Sequence, residues 1–202
     1  MEEDKLNEYT EFESKYRTSA DVETRFKRLA MTDCDMKNFV YVEGPDEYFT
    51  KPGTDDFKRY RKADWEPITG RAEVTTKRKP VGAKNNINRI EKNLRVDGNE
   101  PALVRQTIID DGFEYNFTIW KNCHIYHNEE ATIVFYCVVE TTPGVKYKED
   151  YFIEIELNES TISNHTEEEA WAIILKYEKM LEPLGIHAQK RLRKSLFEMY
   201  RR

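Results

Sequence analysis

The chain has 202 residues, enough to bury one substantial core, and shows no repeat, low-complexity tract or shift in composition that would mark a second domain. Charged residues make up 35% and aromatics 12%, which argues against disorder, and no apolar run is long enough to span a bilayer. The formal net charge of −6 gives no general attraction to nucleic acid or to acidic membranes, so an anionic ligand would have to be held locally.

These bounds predict a single domain over residues 1–202, with residues 1–8 flexible. The acidic start, Met1 to Lys5, lacks the apolar core of a secretory signal, so a cytoplasmic protein is expected. Cys34, Cys123 and Cys137 are an odd set without metal-ligand spacing and read as reduced thiols. In that compartment the Asn-x-Ser/Thr triplets at Asn116, Asn158 and Asn164 carry no meaning.

In chain order, Glu11-Phe12-Glu13-Ser14-Lys15-Tyr16-Arg17 reads as a strand whose odd positions are charged, with Phe12 and Tyr16 on the other face. Thr18 or Ser19 then caps a helix with Val22, Phe26, Leu29 and Ala30 at helical spacing. Phe39 to Glu43 and Asp46 to Phe49 read as two short strands. Phe57 to Lys62 reads as another after a Pro52-Gly53 turn, and Trp65 to Gly70 as a loop. Arg71 to Lys79 and Ile87 to Val96 are longer strands, again with charges on one parity. Pro101 opens a helix that reaches about Asp111 and stops at Gly112.

Beyond Tyr115, Phe117 to Tyr126 and Ala131 to Thr141 form a hairpin, and Val145 to Asp150 leads into Tyr151 to Leu157, where Glu154 and Glu156 alternate with Ile153, Ile155 and Leu157. Thr166 with Glu169 is a capping box that starts a helix ending near Pro183 and Gly185. A final helix is expected from Ala188 to Tyr200, its Lys190 to Lys194 run a solvated face and not a nucleic-acid site. The four histidines lack metal spacing and read as surface residues.

An isolated Glu-x-Glu on a strand usually faces water. Several strands with one charged parity reverse that expectation. About eight of them, with apolar residues on the opposite face, predict an α+β fold built on a closed eight-stranded antiparallel barrel. Its lumen would be charged, with helices packed outside and the C-terminal helix near one end. The lumen would hold Glu11, Glu13, Glu73, Glu91, Glu154 and Glu156 together with Lys15, Arg59, Arg61, Lys77, Lys79, Arg89 and Lys121. Crowded carboxylates repel unless a cation compensates, and oxygen-only ligands favour magnesium or manganese over zinc. The basic set needs an anion, and a polyphosphate meets both demands.

The ordered set resembles the CYTH, or triphosphate tunnel metalloenzyme, superfamily across nearly the whole chain. The carriers are Glu11-x-Glu13-x-Lys15, Asp46-Glu47-Tyr48-Phe49, Arg59-Tyr60-Arg61, Glu73-Val74-Thr75-Thr76-Lys77, Arg89-Ile90-Glu91, Glu154-Ile155-Glu156 and Arg193-Lys194-Ser195-Leu196-Phe197. The resemblance implies a divalent-metal-dependent hydrolase of inorganic triphosphate, a nucleoside triphosphate or a related organic triphosphate. It also admits an adenylyl cyclase or a polyphosphate-binding protein without turnover. It implies Glu11, Glu13, Glu154 and Glu156 as metal ligands, and Lys15, Arg59, Arg61, Lys77, Arg89 and Lys121 as phosphate contacts. Tyr48 or a carboxylate would position water. The partner is a small triphosphate or nucleotide, with an RNA 5′ end the one nucleic acid admitted and no membrane, and the protein acts as a monomer or homodimer. Two places depart from the pattern: Lys121-Asn122-Cys123 stands where the family often has Lys-x-Arg, and Val138 where it often has aspartate. Glu140, of the same parity, is the expected substitute metal ligand.

Overall fold

The computed structural model describes residues 8–62, 71–79 and 89–202. Among these, nine strands form one antiparallel sheet: β1 (Glu8–Thr10), β2 (Glu13–Thr18), β3 (Asn38–Thr50), β4 (Phe57–Arg61), β5 (Arg71–Arg78), β6 (Ile90–Asp97), β7 (Glu114–His127), β8 (Ala131–Glu140) and β9 (Glu149–Leu157). Their order is β1-β6-β5-β4-β3-β7-β8-β9-β2. The helices are α1 (Glu23–Thr32), α2 (Pro101–Asp110), α3 (Glu159–Asn164), α4 (Glu167–Leu181) and α5 (Leu196–Tyr200). None of them is long and apolar enough to cross a membrane. The expectations for residues 1–7, for the Trp65 to Gly70 loop and for a strand beginning at Ile87 fall outside the described residues.

The fold is α+β and antiparallel as expected, but the sheet has nine strands and its ladder does not close. The cause lies at Glu11 and Phe12, where the first expected strand divides. Glu8–Thr10 pairs with β6 and Glu13–Thr18 pairs with β9. At the break, Glu11 N donates to Arg89 O at 2.9 Å, and Leu157 N donates to Phe12 O at 3.0 Å. The two edges of the sheet are therefore consecutive pieces of one chain, joined by two residues.

The outer parity of β2 and β9 does what the sequence pattern requires. Phe12, Tyr16, Ile153, Ile155 and Leu157 pack into one core with Phe26 and Ala30 of α1 and with Ala170, Ile174 and Tyr177 of α4. Each such large side chain contributes about 1.5–3 kcal/mol of burial, which fixes the charged parity on the inner face. The Thr166–Glu169 capping box starts α4 as predicted. On the far side, α2 sets Ile108 against Phe49 and Val74, and Gly112, at φ +84°, ends it.

Two expected elements differ. The pair of short strands at 39–49 is one 13-residue strand, β3. β7 pairs with it straight through Gly44 and Pro45, and Pro45 lies just beyond the last β4 pairing, Asp46 with Arg61. Proline is tolerated on such an edge-like stretch. The expected helix at 188–200 is instead a 3-10 turn (Ala188–Lys190), an extended stretch and the short α5. The free edge of β2 accounts for this: Arg191 bridges Tyr16, and Leu192 N donates to Lys15 O at 2.8 Å. α5 begins at Ser195, which with Glu198 forms a second capping box. It brings Leu196 and Phe197 against Tyr48, Phe57, Phe117 and Phe152, sealing one end of the sheet's interior. α3, led by Asn158, was not foreseen.

Candidate active site

The inner face encloses a cavity of about 200 Å³. Antiparallel register sets the first group of charges in it: Glu13 lies opposite Glu156, and Lys15 opposite Glu154, on β2 and β9. Glu13, Glu154 and Glu156 each bring a carboxylate oxygen within 4.8 Å of the others. Lys15 Nζ, buried, donates to Glu13 Oε1 at 3.0 Å and lies 3.1 Å from Glu154 Oε2. Tyr136 of β8 donates its phenol to Glu154 at 2.9 Å.

A second group forms where β1, β5 and β6 meet. Lys77 Nζ bridges Glu11 and Glu91, 2.7 Å from the latter. Between the groups the electrostatics divide. Burial and the neighbouring Glu154 push Glu13 up to about 7. Burial and the charges of Glu154 and Glu13 push Glu156 up to about 8. Burial also raises Glu11, against the pull of Lys77. Burial works to raise Glu154 and Glu91 as well, but Lys15 holds the first and Lys77 the second below the ordinary carboxylate range. Five acids, Glu11, Glu13, Glu91, Glu154 and Glu156, thus share two lysines, Lys15 and Lys77, and the raised members record that shortage of positive charge.

The opposing wall is basic. Arg61 is gripped by buried Asp46 through two hydrogen bonds of 2.6 Å, and Arg61 holds Asp46 down to about 2 against its burial. Arg59 donates to Thr75 at 2.9 Å and lies 3.5 Å from Glu73. Arg89, 2% exposed, lies over the Phe57 ring at 5.1 Å and donates to Asp55 O at 3.2 Å. The Nε groups of Arg59 and Arg89 are buried with no acceptor among the described residues. Lys121 Nζ sits over the Tyr136 ring at 4.1 Å. Among the described residues it is the cavity-lining cation without a carboxylate partner, and burial holds its ammonium below the usual lysine range. Burial pushes Tyr48, stacked on Phe117 at 4.5 Å, up to about 12, so its phenol is a donor.

The cavity thus gathers all but three of the sequence-predicted site residues. Glu73 lies outside the lining and beside Arg59; Lys79 also lies outside it. Glu140 is occupied elsewhere, in an ion pair of 2.7 Å with Arg202, and Val138 is core. Sequence reasoning missed Asp46, because Gly44-Pro45 hid the continuity of β3. It also missed Tyr136 and Cys123, whose places on the inner parity of β8 and β7 were the available signal. His124 faces outward between Phe39 and Tyr41, its Nε2 3.0 Å from Glu23. Arg191, expected to be solvated, is instead bound to Glu178.

The Glu13, Glu154 and Glu156 set fits a hard divalent cation: three oxygen donors converge, and mutual repulsion raises two of them. The donors without acceptors on Arg59 and Arg89, and Lys121 without a carboxylate, fit an anion in the same space.

No protein-family model and no curated protein sequence matches the chain. Solved structures do. The PH1012 protein of Pyrococcus horikoshii superposes with a TM-score of 0.65 at 21% identity, over 95% of this chain and 99% of its own. The PH1819 protein of the same organism gives 0.65 and 21%, over 95% and 97%. A candidate adenylate cyclase from Bacillus halodurans gives 0.58 and 16%, over 96% and 99%. At these identities the likeness is one of fold.

Proposed function

We propose that this chain, whose fold is that of the CYTH or triphosphate tunnel superfamily, is a cytoplasmic, divalent-metal-dependent hydrolase of a triphosphate-containing substrate. The observation that carries the proposal is the coexistence, in one cavity, of a three-carboxylate cluster short of positive charge and a basic wall short of negative charge. A sheet tied edge to edge through Glu11 and Phe12 serves as the tunnel. Glu13, Glu154 and Glu156 would hold magnesium or manganese, with Glu11 and Glu91 beside them. When bound, that ion supplies Lewis-acid polarisation of a phosphoryl oxygen.

The remaining roles belong to side chains. Lys121 and the guanidinium groups of Arg59, Arg61 and Arg89 neutralise phosphate oxygens where charge builds during water attack, and their fixed positions make that stabilisation available without reorganisation. Asp46 fixes the Arg61 fork. Lys15 and Lys77 hold the acidic groups in place, and Tyr48 donates from the wall. A carboxylate outside the metal set, or Tyr48, orients the attacking water.

Phosphate release from tripolyphosphate, nucleoside triphosphates, thiamine triphosphate and 5′-triphosphorylated RNA, each with magnesium and with manganese, tests the proposal. Release of orthophosphate from at least one supports it; no turnover of any substrate removes it and leaves a binding protein. The fold shared with the candidate adenylate cyclase favours one second reading, cyclisation of ATP by its own 3′ hydroxyl. Pyrophosphate and a cyclic nucleotide among the products would select that reading.

A further inference from the structure

Tyr136 touches both the acidic and the basic half of the cavity. It lies on the inner face of β8, opposite Cys123 of β7 and Phe152 of β9. Lys121 and Glu154 are each two residues away from those partners, at the diagonal positions that an aromatic side chain can reach across a sheet. It reaches both. Its hydroxyl donates to Glu154 Oε2 at 2.9 Å, the same oxygen that Lys15 Nζ approaches to 3.1 Å. Its ring lies beneath Lys121 Nζ, 4.1 Å from the centroid. The side chain is 1% exposed and stacks on the buried Phe152 ring at 5.3 Å, packing that fixes its orientation.

We infer that Tyr136 is a positioning residue with two separable duties: its hydroxyl orients Glu154 toward a divalent ion, and its ring holds Lys121 where phosphate oxygens bind. This rests on the reading of the cavity as a metal and phosphate site. A carboxylate with one oxygen held by two donors has lost most of its rotational freedom, so an ion that binds it has less disorder to remove. Lys121 has no carboxylate partner among the described residues, and burial works against its charge. The negative face of the phenol ring supplies the attraction that a carboxylate would, without neutralising the ammonium. The lysine is thereby kept in place and left open to an anion.

Metal and anion binding, measured apart, separate the two duties without requiring turnover. Calorimetry would follow magnesium alone, and tripolyphosphate alone in metal-stripped buffer, on the natural chain, on Tyr136→Phe and on Tyr136→Leu. Tyr136→Phe keeps the ring stack on Phe152 and hence the fold, which its urea midpoint checks. It should lose about 10–100-fold in magnesium affinity, the usual effect of removing a hydrogen bond to a metal ligand, and keep its affinity for tripolyphosphate. Tyr136→Leu should lose magnesium affinity to the same extent and tripolyphosphate affinity about fivefold as well, the scale of a cation–π contact. In turnover, saturating magnesium should restore the kcat of Tyr136→Phe, which a merely structural defect would not allow. Magnesium affinity equal in the natural chain and Tyr136→Phe, or equal losses of both probes in that variant, would overturn the inference. So would tripolyphosphate bound no more weakly by Tyr136→Leu than by Tyr136→Phe. The expected split without turnover of any triphosphate would keep this inference and sink the hydrolase, whereas turnover with magnesium affinity unmoved by Tyr136→Phe would do the opposite. A natural chain that binds neither probe would remove both.

Discussion

Adjacent residues on β2 open onto two buried acidic sites of opposite character. Lys15 points inward to Glu13 and Glu154. Tyr16 points outward, where its hydroxyl donates to Glu178, itself 4% exposed and held by both arms of Arg191, with Arg191 Nη2 2.6 Å away. The Arg191 guanidinium also lies 4.9 Å from the Trp171 ring. Outside, one carboxylate meets a guanidinium and a phenol, and the account closes. Inside, Glu13, Glu154 and Glu156 crowd together around one lysine, and two of them are pushed to about 7 and 8. A satisfied buried charge fastens structure, whereas a crowded one stores affinity for something the chain does not supply.

The sharpest break between the two sites is substitution of their acids. Glu13→Gln should reduce metal-dependent phosphate release on the order of 10³-fold, the equivalent of several kcal/mol of lost electrostatic stabilisation. Its urea midpoint should not fall, because one repelling charge has gone. Glu178→Ala should do the reverse, costing about 3 kcal/mol in urea unfolding by stranding Arg191 and the Tyr16 hydroxyl, while activity per folded molecule persists. A Glu13→Gln protein that unfolds more easily than Glu178→Ala would erase the distinction.

How much of this was legible follows from what a strand's parity can and cannot say. Alternation placed Glu11, Glu13, Lys15, Arg59, Arg61, Glu154 and Glu156 on one face, and the packing of Phe12 and Ile153 beneath helices made that face the interior. Parity gives a side of the sheet, not a depth. Glu73 and Glu140 share the inward parity, yet sit too far along their strands to line the cavity, and Glu140 meets Arg202 instead. The division at Glu11–Phe12 left no local mark, since it depends on pairing with β6 and β9, far away in sequence. The tail misled because Leu192, Leu196 and Met199 have helical spacing, although Ser195 with Glu198 marked where the helix would start. Arg191 was drawn out of the pattern by the free edge of β2.

Lys121 sharpens the comparison from the basic side. Among the described residues it lacks the carboxylate that each other cavity cation has, so its charge is a cost to the fold unless an anion arrives. Lys121→Met should raise the KM for a triphosphate about 10–100-fold, the worth of a charged hydrogen bond. The same change should leave the urea midpoint unchanged or higher. Arg61→Met, by contrast, should destabilise the fold because it strands buried Asp46.

The mildest test is pH, and its sign follows from the raised carboxylates. Glu13 and Glu156 titrate at about 7 and about 8 in the folded chain, against an ordinary value near 4.5 when unfolded. Between pH 4.5 and 8 the folded state therefore binds more protons than the unfolded one. The contribution of these two groups is full below the unfolded value and is lost as pH rises through the folded values. Glu154, held low by Lys15, is already ionised across that window and does not offset the trend. A divalent ion must displace the same protons, so magnesium affinity should climb up to about tenfold per pH unit for each proton displaced between pH 6 and 8. Magnesium should raise the melting temperature more at pH 8 than at pH 6. Calorimetric titrations of magnesium in two buffers of different ionisation enthalpy should register the proton release at pH 6.5. Glu13→Gln should reduce that release, while Glu178→Ala should leave it intact. Release unaltered by Glu13→Gln would mean that the crowded acids are not where the ion binds.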